Sequence, residues 1–162
     1  MNILHPIKNL KVLVVKKFIE EALDYSDPDL VVFDGDNIVS EDVRAYEQLL
    51  APLAERDVPF TLVFGNHDPE RENFTAEQQL AEYQKYKGCL AYDADPEIYG
   101  MGTHNLTIKS SDGTKVAYNL WMFDSNTYDE ELGGYDYVHD DQVDWYVNKS
   151  NELKAANGGE AV

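Results

Sequence analysis

Two uninterrupted apolar runs, each breaking off into a polar turn, constrain this chain more than any other feature. Leu30-Val31-Val32-Phe33 leads into Asp34-Gly35-Asp36-Asn37, and Phe60-Thr61-Leu62-Val63-Phe64 leads into Gly65-Asn66-His67-Asp68. β-Branched and aromatic runs without polar alternation suit strands buried on both faces, as in a sheet covered by helices. Between them Ser40 is placed to cap a helix, with Glu41 and Asp42 in its first turn. Val43, Tyr46, Leu49, Leu50 and Leu53 form that helix's apolar stripe. Pro52 falls inside it, which predicts a kink or two short helices. Strand, helix, strand is a βαβ unit, with parallel neighbours and a right-handed crossover.

The flanking segments follow from the same patterning. From Leu10 to about Tyr25, the residues Val12, Val15, Phe18, Ile19, Ala22 and Leu23 recur at helical spacing, and Asp27-Pro28-Asp29 stops the helix. Thr75 and Gln78 make a capping box for a helix running to about Lys87. Strands are expected from about Thr103 to Lys109 and from Lys115 to Phe123, joined by the hairpin turn Ser110-Ser111-Asp112-Gly113. The second of these is apolar on both faces and should be interior. A last helix, roughly Asp140 to Asn157, should turn Val143, Tyr146, Val147 and Leu153 inward and end at Gly158-Gly159. The fold class is α/β, becoming α+β in the second half, within one domain.

Charge narrows the function. Thirteen Lys and Arg face 31 Asp and Glu across 162 residues, a net charge of −18, which repels a polyphosphate backbone and argues against nucleic-acid binding. No apolar stretch is long enough to span a bilayer, so no membrane partner is expected. The run Val12–Val15 is too short and too closely flanked by lysines for a signal peptide, which leaves the cytoplasm as the default compartment. The single cysteine, Cys89, excludes an intramolecular disulfide and a thiolate zinc site, and reads as a half-buried hydrophobe.

The chemistry is expected where the two apolar runs end. In open α/β sheets ligands bind at the carboxyl ends of strands, so two polar clusters on adjacent parallel strands converge in one crevice. Carboxylates can bridge hard or borderline cations, and a neutral amide oxygen completes a shell without adding charge. A nearby imidazole can donate a proton or hold a phosphoryl oxygen. Either cluster alone reads as a turn, since Asp-Gly and Gly-Asn are common turn pairs. Asp34-Gly35-Asp36 also touches the calcium-loop pattern, but Ile38 stands where an oxygen ligand is due. Two clusters at matched strand ends point to a metal site.

Gly35-Asp36 followed by Gly65-Asn66-His67-Asp68 resembles the second and third motifs of the calcineurin-like metallophosphoesterases. The segments 29–38, 58–68, 119–125, 134–137 and 141–146 resemble the small, purple-acid-phosphatase-related branch of that family. The resemblance implies part of a four-layer αββα sandwich and a phosphoester substrate. It also implies a dinuclear centre of two divalent ions, manganese, iron or zinc. Asp36 would bridge the ions and Asn66 would bind one of them. His67 would steady the transition state or leaving group, and Asp68 would orient His67.

The chain departs from that pattern in three places. It lacks the opening Asp-x-His, and His5 has no aspartate two residues before it. It lacks the later lone histidine and Gly-His-x-His, and His104 and His139 are expected in solvent or capping roles instead. Val39 stands where the metal-liganding tyrosine of true purple acid phosphatases would fall. The chain thus resembles the middle of a phosphoesterase, a hydrolase by descent with weak or partial metal occupancy and no activity alone. The rival reading is a catalytically inactive fragment or binding module. Uncovered sheet edges would favour self-association.

Overall fold

The computed structural model describes residues 5–40, 42–70 and 74–162, with side chains from residue 14 onward. The order is α1 (His5–Ser26), β1 (Val31–Asp34), α2 (Arg44–Glu55), β2 (Phe60–Val63), α3 (Ala76–Tyr83), β3 (His104–Lys109), β4 (Val116–Met122) and α4 (Asp140–Ala156). β1 and β2 pair in parallel, with Asp34 opposite Val63, as a βαβ unit requires. β3 and β4 form an antiparallel hairpin through Gly113, whose φ is +71°. At that turn, hydrogen bonds from the Ser110 hydroxyl and from Thr114 hold the Asp112 carboxyl down to about 2.

β2 pairs with β1 on one side and bridges to Cys89 through Phe60, and its alternation explains the layering. Phe60, Leu62 and Phe64 enter one core with Tyr46, Leu50 and Leu53 of α2, Leu80 and Tyr83 of α3, and Leu23 of α1. Thr61 faces the opposite way, where its hydroxyl lies 2.6 Å from Nε2 of His104 on β3. The hairpin in turn packs its other face on α4. Trp121 meets Trp145 and Tyr146 edge to face, and Gln142 donates to the Asp124 carbonyl.

Several details depart from the pattern-based expectations. β1 is covered on one face only, because the hairpin reaches Thr61 and leaves Val32 43% exposed. β4 is interior only at its Met122 end, and Tyr118 is 69% exposed. α2 begins at Arg44 after Val43, not at Ser40, whose hydroxyl instead accepts from the Asp42 amide in a short turn. Glu41 lies outside the described residues, as does the Val12 side chain. One helix runs through Pro52. α3 stops at Tyr83, although its Thr75/Gln78 capping box forms as expected. On α1 only Ile19 and Leu23 of the described stripe pack inward, leaving Val15 and Phe18 exposed. On α4 Gln142 is buried and Trp145 and Tyr146 rest against Trp121, whereas Val143 and Val147 are exposed; Asn157, the residue after the helix, is buried. Periodicity identifies an apolar face but not whether another element covers it.

His104, expected in a solvent or capping role, is fully buried. Its Nδ1 lies 2.6 Å from the Gly102 carbonyl, which only accepts, so Nδ1 carries the proton and Nε2 accepts from Thr61. Burial lowers its pKa, against a smaller opposing effect from the Gly102 hydrogen bond. A histidine held neutral in the fold stabilises fully above its ordinary value of 6.5 and loses that contribution as pH falls through the folded pKa. Urea unfolding midpoints measured from pH 8 to pH 5 should therefore fall more steeply in the parent chain than in His104→Asn.

Candidate functional site

The two strand ends come together through glycines. Gly35 takes φ +90°, and a Cβ there would lie 3.0 Å from the Gly65 Cα. A Cβ on Gly65 would lie 2.3 Å from Oδ1 and 2.4 Å from the amide nitrogen of Asp36. Only two glycines allow the chains following β1 and β2 to approach this closely. Asp36, with φ +50°, is thereby turned so that its Oδ1 accepts from the His67 amide at 3.0 Å.

Asp68 ties the same two loops from behind. It is fully buried, with Oδ1 accepting from the Ile38 amide at 3.0 Å and Oδ2 from the Gly65 amide at 2.8 Å. Its own carbonyl accepts from Gln79 of α3 at 2.7 Å. Both carboxylate oxygens are thus engaged by the backbone. The His67 imidazole pairs with Glu70, Nδ1 to Oε1 at 2.9 Å. That hydrogen bond raises the His67 pKa against a smaller effect of burial, and the fields of Asp36 and Asp68 add to it.

A cleft of about 450 Å³ opens in front of these loops. Asp34, Asp36 and Asn66 line one side, and Phe123, Asn126 and Asp136 the other. Of the four residues singled out by sequence, Asp36 and Asn66 face the cleft and Asp68 supports it. His67 is not among the lining residues and stands beside Glu70.

Three contributors were not singled out from sequence. Glu70 lies one helical turn's spacing from His67, a weak signal by itself. The Tyr128 hydroxyl accepts from Asn66 Nδ2 at 3.2 Å and donates to Glu70 Oε1 at 3.0 Å. It is 62 residues from Asn66, and local spacing carries no trace of the contact. Asp136 pairs with Nε2 of His139, the residue that caps α4. Burial works against the ionised Asp136, but hydrogen bonds from His139 and the Tyr137 amide hold its pKa below the ordinary value.

Among the described residues, no three His, Cys, Asp or Glu side chains converge as a metal-holding group. Asp36 and Asn66 suit a hard cation in kind, one carboxylate and one neutral oxygen, but two such donors do not make a dinuclear centre. The residues present therefore do not fit that centre by themselves.

Gly65→Ala tests the close approach. Its backbone does not require positive φ, so the cost is the collision with Asp36. The thermal unfolding midpoint should fall, reflecting roughly 1–3 kcal/mol of lost stability.

Comparison with known proteins bears on the family of the chain. The sequence profile of the calcineurin-like phosphoesterases matches residues 9–157. A protein named "Probable inactive purple acid phosphatase 29" of Arabidopsis thaliana is 31% identical over 85% of this chain and 39% of its own length. "Probable inactive purple acid phosphatase 14" of the same plant is 28% identical over 85% of this chain and 38% of its own length. "Phosphatase DCR2" of Saccharomyces cerevisiae is 30% identical over 77% of this chain and 24% of its own length. The chain thus spans well under half of each of these relatives. With its family profile matched almost throughout and its paired strand-end motifs brought together at one cleft, the chain belongs to the calcineurin-like phosphoesterase family.

Proposed function

We propose that this chain is a phosphoester-hydrolase scaffold whose cleft binds a divalent cation weakly through Asp36 and Asn66, and that it does not turn over phosphoesters by itself. The supporting observation is the donor set. Two strand ends bring one carboxylate and one amide to the cleft, while the described residues supply no group of three His, Cys, Asp or Glu ligands. Tight sites need about four or more donors in fixed geometry from protein and water. Hydrolysis would therefore require donors additional to this pair, from further sequence or from another chain.

The contacts support placement in the family's four-layer αββα sandwich. Helices α2 and α3 pack on the face of β2 that carries Phe60 and Leu62. Thr61 on the opposite face meets the hairpin through His104, and the hairpin is backed by α4. In a complete site the family's paired cations would supply charge neutralisation at the phosphoryl group and activation of water. This chain's own residues have simpler tasks. Asp36 and Asn66 offer oxygens, and Asp68 holds their loops. His67, whose Nδ1 pairs with Glu70, does not line the cleft, so the family role toward a phosphoryl oxygen would need its ring to turn inward. An acidic chain needs the cation for another reason, because phosphate would otherwise meet the carboxylates of Asp34, Asp36 and Asp136 unscreened.

The purified chain should bind manganese with a dissociation constant of about 10⁻⁴ M or weaker by calorimetry. Asp36→Ala should abolish that binding, and no hydrolysis of p-nitrophenyl phosphate should be detectable. Tight binding of two ions that survives Asp36→Ala would overturn the site, and turnover by the chain alone would overturn the scaffold reading.

A further inference from the structure

The hydrogen bonds from His67 to Asn66 through Glu70 and Tyr128 have a defined direction. Glu70 Oε1 lies 2.9 Å from His67 Nδ1 and 3.0 Å from the Tyr128 hydroxyl oxygen. An ionised carboxylate only accepts, so the Tyr128 proton points at Glu70. A hydroxyl has one proton. Toward Asn66, 3.2 Å away, the Tyr128 oxygen therefore presents lone pairs. Had Asn66 turned its amide oxygen there, two acceptors would face each other, an arrangement that forfeits the hydrogen bond. Asn66 must present Nδ2–H, which leaves Oδ1 as the atom available to the cleft that Asn66 lines beside Asp36.

Tyr128 is itself held in place. It pairs with Tyr135 as an isolated antiparallel bridge, and their rings stack at 5.7 Å with an interplanar angle of 24°. We propose that Glu70 and Tyr128 are positioning residues that fix the polarity of the Asn66 amide, so that its oxygen rather than its NH₂ faces the cleft. This rests on the reading of the cleft as a cation site, because an amide oxygen serves a cation and an amide NH₂ repels one.

The test uses the whole chain labelled with ¹⁵N. The Asn66 side-chain NH₂ resonance, assigned by its loss in Asn66→Ala, should exchange slowly with solvent. Tyr128→Phe keeps the stacked ring and removes only the hydroxyl, and the exchange rate should rise roughly three- to tenfold. Glu70→Gln keeps the shape but lets the hydrogen-bond direction reverse, and should also speed exchange. An Asn66 amide that exchanges freely in the parent chain, or is unmoved by Tyr128→Phe, would overturn the inference. An effect of Tyr128→Phe without one of Glu70→Gln would overturn the carboxylate's part in it. Manganese added to the same samples separates the two readings. If it broadens neither Asp36 nor Asn66 while both variants behave as expected, the cation reading fails and the positioning inference stands.

Discussion

The Asp68 carboxylate is the contact on which the site depends. It is fully buried yet engaged at both oxygens, one by the amide of Ile38 beyond β1 and one by the amide of Gly65 beyond β2. Hydrogen bonds to a charged group contribute about 1.5–3 kcal/mol each, and a buried acceptor left without its donors costs a comparable amount. The Asp36 carboxylate adds a tie through the His67 amide, and Asn37 adds one to the Val63 carbonyl, but Asp68 is the buried one that uses both its oxygens. Gly35 and Gly65 permit the approach, and Asp68 holds it. Through the Gln79 hydrogen bond the same residue ties the loops to α3 and so to the helical side of the core.

This division of labour separates the acidic residues by position. Asp68 lies behind the loops and ties backbone. Asp34, Asp36 and Asp136 line the cleft, where they give a chain of net charge −18 a site that attracts cations and repels bare phosphate. A scaffold of this kind accounts for both halves of the comparison. The family motifs are in place at the two strand ends, and the donor set among the described residues falls short of a dinuclear centre.

Much of this was legible from residues alone, because its signals are local. The parallel pairing of β1 with β2 follows from two apolar runs and the helical stripe between them. The Thr75/Gln78 box and the Gly113 hairpin are set by neighbours in sequence. What was not legible depends on contacts between distant segments. His104 carries no mark that it will sit against Thr61, 43 residues away. The outward Phe18 and Val147 have the same periodicity as residues that pack inward. Nothing local to Asp68 shows that its carboxylate accepts from the backbone of Ile38, 30 residues earlier. Glu70 and Tyr128 were missed for the same reason.

Hydrogen exchange at two amides tests the role of Asp68 most directly. In Asp68→Asn one carboxylate oxygen becomes an NH₂ that cannot accept from a backbone amide. Protection at Ile38 and Gly65 should then fall by roughly ten- to a hundredfold at one or both positions, while the amides of β3 and β4 keep theirs. Unchanged protection at both Ile38 and Gly65 in a folded Asp68→Asn chain would show that the strand ends are held together by something other than this carboxylate.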